Sequence, residues 1–153
     1  MCMKALFYFS GFLSVMLLSG CNDVFLSPDE KLEGTWHFDK VTYTRSGFSF
    51  GSHNVTSDFR DIDIEFERNG DVTWYDMAYN DEYNGEWDLR YYYDYDYNDD
   101  RDERINVLNL ILVDFDNEDI MHYEWELQSF TRRKIIAEEY VGNRRYRYKL
   151  KKY

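Results

Sequence analysis

Cysteine, proline and positive charge are what this chain has least of. Its 153 residues include two cysteines, Cys2 and Cys21, and one proline, Pro28. Everything after Cys21 therefore has no means of forming a disulfide, a thiolate metal site or a cysteine nucleophile. A domain built there must stand on its hydrophobic core. Lysine and arginine number 18 against 30 aspartates and glutamates, a formal net charge of −12. That balance argues against nucleic acid as a partner, because the phosphate backbone requires a basic surface. No apolar run reaches the roughly twenty residues that a membrane-spanning helix needs.

One apolar run does stand at the start. Ala5 to Leu18 is almost unbroken, follows the single charge of Lys4, and leads into Leu18-Ser19-Gly20-Cys21. At about fourteen residues it is too short to span a bilayer and has the length of a signal-peptide core. Two small residues followed by cysteine resemble the lipobox of bacterial lipoproteins. The resemblance implies a signal peptide over residues 1–20, cleavage before Cys21, and a diacylglyceryl thioether on Cys21. One acyl chain gives marginal membrane binding at about 0.8 kcal/mol per methylene, whereas two or three hold a protein in place. Residues 21–31 then form the lipidated N-terminus and a polar tether. Asn22 follows the cysteine where an inner-membrane retention aspartate would stand, so an outer-membrane anchor is expected, on either its periplasmic or its cell-surface face.

From Gly34 onward the pattern has a period of two, the signature of half-buried strands. Ile62, Ile64 and Phe66 alternate with Asp61, Asp63, Glu65 and Glu67. Asn69-Gly70 follows and reads as a two-residue type I′ turn, and Asn84-Gly85 reads as the next turn. Trp87, Leu89 and Tyr91 alternate with Glu86, Asp88 and Arg90. Ile105 to Val113 is apolar on both faces, the mark of a strand that is central or covered on both sides. Met121, Tyr123, Trp125 and Leu127 form another inward row. Lys134 to Val141 and Arg144 to Lys152 make a last hairpin about Gly142-Asn143. Its basic residues Arg145, Arg147, Lys149 and Lys151 lie opposite Tyr146, Tyr148 and Leu150, as a solvated face next to acidic strands would. Eight strands result, with Phe48 to Val55 as a weak ninth. Short turns imply an all-β, antiparallel up-and-down meander, and closure into a barrel removes its edges.

The order Leu32-Glu33-Gly34-Thr35-Trp36, Ile64-Glu65-Phe66, Asn69-Gly70-Asp71, Gly85-Glu86-Trp87-Asp88-Leu89, Trp125-Glu126-Leu127 and Lys134-Ile135-Ile136-Ala137 resembles the lipocalin-like domains of lipoproteins from Bacteroidetes-type bacteria. The likeness runs over roughly Lys31 to Tyr153 and implies a roughly eight-stranded lipocalin-like barrel over residues 32–153. In lipocalins the tryptophan of Gly-x-Trp plugs one end beneath a late basic residue. Here the plug would be Trp36, and Arg145 or Arg147 the basic partner.

Aromatic residues make up 20% of the chain. Trp74, Trp87, Tyr91, Tyr123 and Trp125 fall on the inward side of the alternation, and they either line a pocket for an apolar or ring-bearing ligand or fill the core. Asp94-x-Asp96-x-Asn98 opens like a calcium loop, but Asp99 stands where glycine is required and Ile105 where a bidentate glutamate belongs. His37, His53 and His122 lie on separate segments. No metal, no cofactor and no catalytic residue is therefore expected. Two functional readings remain: a non-enzymatic binding module for a small apolar ligand, and an interaction subunit that contacts an envelope protein.

Overall fold

Nine antiparallel strands form one sheet, and eight of them close into a barrel in a computed structural model that describes residues 26–45, 51–96, 101–114 and 119–153. Cys21, and with it the leader, lies outside the described residues. The strands are β1 (Gly34–Arg45), β2 (His53–Asn54), β3 (Ile62–Phe66), β4 (Asp71–Asp76), β5 (Asp81–Asp96), β6 (Arg101–Asp114), β7 (Asp119–Thr131), β8 (Lys134–Val141) and β9 (Arg144–Lys152). Each of β3 to β8 pairs with the next, β1 pairs with β3, and β9 returns to β1 to shut the ring. Strand β2 is a two-residue addition beside β1. This is the up-and-down barrel expected from the alternation.

The interior rows follow that alternation. Ile62, Ile64 and Phe66 of β3, Leu108, Leu110 and Leu112 of β6, and Ile135 and Ala137 of β8 are buried together with Trp36, Trp74, Trp87 and Trp125. Two bulges reset it. Phe38 and Val41 are both buried although three apart, because the β1–β9 ladder slips between Phe38 and Lys40. A second slip between Leu127 and Ser129 does the same in β7. A bulge adds one residue to a strand and so shifts every later side chain to the other face. The extra residue in β1 is Asp39, whose carboxylate meets Lys149 at 2.5 Å and Lys151 at 2.6 Å. On the neighbouring strand Glu138 faces Arg147 at 3.6 Å and Arg145 at 3.9 Å. The basic face of β9 is thus solvated and flanked by acids from β1 and β8.

Two turns differ from expectation. Asn69-Gly70 is not a two-residue loop. The Glu67 N–H donates to Asp71 O, the Gly70 N–H donates to Glu67 O, and only Gly70 has positive φ (+97°). These are the features of a three-residue loop with a glycine bulge. Asn84-Gly85 is not a turn at all. The chain reverses at residues 77–80, where the Asp76 carboxylate accepts from the N–H groups of Ala78 and Tyr79 and Asn80 takes φ +56°. Gly85 sits inside β5, and a Cβ there would lie 1.8 Å from Ile111 O. Its purpose is close strand approach, which from sequence alone looks the same as a turn glycine.

Ile105 to Val113 is central, paired with β5 and β7, but it is not covered on both sides, since Ile111 is 45% exposed on the outer wall. Pro28–Leu32 form a short helix, α1, with Ser27 as N-cap in a reciprocal capping box with Glu30.

Candidate functional site at the open end of the barrel

The two ends of the barrel differ. At one end Trp36 is 0% exposed and its indole N–H donates to Leu32 O at 2.7 Å, which locks α1 across the opening. Lys152 Nζ lies over the Trp36 ring at 5.5 Å and donates to Glu33 O. The basic partner of the plug is therefore Lys152. Arg145 and Arg147 pair with Thr44 and Thr42, farther along β1. Gly34 has φ +112°, and a Cβ there would stand 2.8 Å from Lys152 Cε, so the glycine of Gly-x-Trp clears the path for the lysine stem.

The other end is open. A cavity of about 730 Å³ is lined by Tyr43, Val55, Asp58, Phe59, Met121, His122, Tyr123, Glu139, Val141, Arg144, Tyr146 and Tyr148. Two of its lining rings are backed by core tryptophans. Trp74 stacks on Tyr123 at 5.4 Å and 10°, and Trp125 stacks on Tyr148 at 5.0 Å and 29°. Phe38 contacts both tryptophans. A 3-10 helix over Thr56–Phe59 hangs across the rim. The Thr56 hydroxyl accepts from the Val41 N–H at 3.0 Å and donates to Asn54 Oδ1 at 2.6 Å, fixing Phe59 against Phe38 and Tyr148.

One charged group is buried in this wall. Glu139 follows Ile135 and Ala137 on the inward row of β8 and is 7% exposed. The Tyr148 hydroxyl donates to its Oε2 at 2.7 Å. Burial pushes the carboxyl above its ordinary pKa, outweighing the Tyr148 hydroxyl, the Glu124 N–H, the Trp125 indole and the His122 imidazole, which pull it down. The Trp125 N–H is itself buried and closes no hydrogen bond of normal geometry. Burial, and after it the Glu139 charge, raises the pKa of the Tyr148 and Tyr123 phenols.

The wall beside Glu139 is parted. Strand β7 stays paired with β6 out to Asp119, and β8 stays paired with β9 out to Val141, but among the described residues the β7–β8 ladder stops at Glu126 and Glu138. An outer cleft of about 580 Å³ lies over this seam and shares His122, Glu139 and Val141 with the mouth cavity. Glu139 therefore borders both the interior and the outer surface.

The aromatic residues expected at a pocket divide. Tyr123 lines the mouth, while Trp74 and Trp125 are buried behind that wall in the core and do not line the cavity. Trp87 sits at the plugged end, where its indole N–H donates to Glu67 O at 2.9 Å and its ring meets Phe66 edge-on. Tyr91 is not inward. It is 57% exposed, because beyond the barrel β5 and β6 run on as a two-stranded ribbon, paired out to Asp96 and Arg101. Arg104 covers the Tyr91 ring at 4.2 Å. Of the acidic loop, Asp94 and Glu103 face each other across this ribbon, while Asn98, Asp99 and Asp100 lie outside the described residues.

Comparison with protein-family models, with curated proteins and with solved structures found no match. Sequence reasoning missed Glu139. Its signal was present, as an acid on the row Ile135, Ala137, Glu139, Val141, where every other member is apolar. It also missed Phe59 and Tyr43, whose places depend on the 3-10 helix and on the β1 bulge.

Proposed function

We propose that the chain is a lipid-anchored cell-envelope protein whose lipocalin-like barrel binds a small apolar or ring-bearing ligand at its open end, without catalysis. The supporting observation is the asymmetry of the barrel: one end is stoppered by Trp36 and α1, and the other holds an aromatic cavity of about 730 Å³. That volume lies within the range of small-molecule sites, which are mostly apolar with a few placed polar groups. The anchor is supported by Leu18-Ser19-Gly20-Cys21 and by Asn22, which favours the outer membrane. Native mass spectrometry of the protein purified from its host tests the binding reading, with a retained small molecule as the expected result. Cys21→Ala tests the anchor, because the variant should no longer take up a labelled fatty acid.

A second reading is an interaction subunit of an envelope complex. It is favoured by the ribbon, on which Tyr91, Tyr92, Tyr93 and Tyr95 are all exposed. A protein partner retained in the same mass spectrum, with no small molecule, would select it.

A further inference from the structure

We propose that the mouth cavity is selective for a ring-bearing ligand that carries a cationic amine, with the Glu139 carboxylate as its counter-charge and the rings of Tyr123, Tyr146 and Tyr148 as its walls. This rests on the binding reading above and names the ligand class.

Glu139 is a buried acid without a buried base. Its side-chain hydrogen bond comes from the neutral Tyr148 hydroxyl, and among the described residues it forms no ion pair. A carboxylate held out of water without a cation is costly, and an incoming ammonium group removes that cost. Arg144 also lines the cavity, and it is already engaged. It donates to the Tyr146 hydroxyl at 3.2 Å and lies over the Tyr43 ring at 5.1 Å.

Two carboxylates, Asp58 and Glu139, line the cavity against one guanidinium, Arg144. Asp81, Asp114 and Asp76 act together on the Tyr83 hydroxyl at the same end of the barrel. An anion would enter against these charges and a cation would enter with them. The walls suit a cation as well. Tyr146 and Tyr148 present parallel rings 6.0 Å apart, inclined by 8°, and the faces of phenol rings attract ammonium groups.

The test uses three probes of one shape: phenethylamine, 2-phenylethanol and phenylacetate. Each is titrated by NMR at pH 7.5 into the full chain held in phosphatidylcholine nanodiscs, a zwitterionic surface that does not concentrate amines. The expected result is amine binding about tenfold or more tighter than alcohol binding, with phenylacetate weakest. Glu139→Gln should remove the amine's advantage and leave the alcohol's affinity within about twofold. Equal affinities for amine and alcohol in the natural chain would overturn the inference while leaving a ring-binding site in place. So would an amine advantage that survives in a folded Glu139→Gln variant. Absence of binding by all three up to about 10 mM would overturn both the inference and the reading beneath it. The comparison of probes in the natural chain does not depend on the variant folding.

Discussion

The Tyr148 hydroxyl on β9 reaches Glu139 Oε2 on β8 at 2.7 Å. The bond holds an inward-facing acid of β8 at the point where β7 and β8 part, on the wall of the mouth cavity.

That placement has a consequence for pH. Burial raises the Glu139 pKa from its ordinary value of 4.5, so between the unfolded and folded pKa values the folded chain binds more protons than the unfolded one. Stability from this group is complete below about pH 4.5 and is lost as pH rises through the folded value. Glu139→Gln should therefore gain Tm relative to the natural chain as pH is taken from about 4.5 to about 8. Thermal melts of both proteins across that range check it.

Gly85 tests the strand contact at the plugged half. A methyl group there would overlap the Ile111 carbonyl, which is backbone and cannot swing away. Gly85→Ala should cost about 3 kcal/mol or more, read from the midpoint of urea unfolding. A turn glycine of ordinary φ would tolerate the change.

The plug depends on one hydrogen bond and one ring. Trp36→Phe keeps most of the buried area but leaves Leu32 O without its donor, for an expected loss of about 1–3 kcal/mol. Trp36→Ala should lose about 3–5 kcal/mol. Hydrogen exchange at the α1 amides should rise in both variants, because Leu32 is held beneath the ring.

Asp39 carries the charge pairing of the closing seam. Its two lysines bring its pKa down from 3.8 to about 2. The stability it contributes is present above about pH 4 and fades as pH falls toward about 2. Asp39→Asn should cost about 0.5–1 kcal/mol at neutral pH, less in high salt, and almost nothing near pH 2. Urea unfolding of both proteins at three pH values and two salt concentrations measures this.

The barrel was legible because most strands carry an uninterrupted period of two, as in Ile62, Ile64 and Phe66. Where a bulge breaks the period, as at Asp39 and in β7 near Leu127, alternation loses phase and the later rows cannot be read by counting. Gly85 misled because a glycine after asparagine signals a turn locally, while the need for close approach to Ile111 is a long-range fact. Tyr91 misled because alternation tells which side of a strand a residue faces, not whether the barrel still lies behind it. Glu139 was legible in its row, but its burial depends on Tyr148 across the β8–β9 ladder. The pairing of Lys152 with Trp36 came from the far end of the chain, and spacing says nothing about it.

The most direct test of the open end as the binding site is a titration of the full chain with 2-phenylethanol, followed through the NMR resonances of its aromatic rings. The expected result is movement of Tyr123, Tyr146 and Tyr148, with Trp36 and Trp87 at the plugged end unmoved. Movement confined to Tyr91, Tyr93 and Tyr95 on the ribbon, or no movement at the mouth, would contradict it.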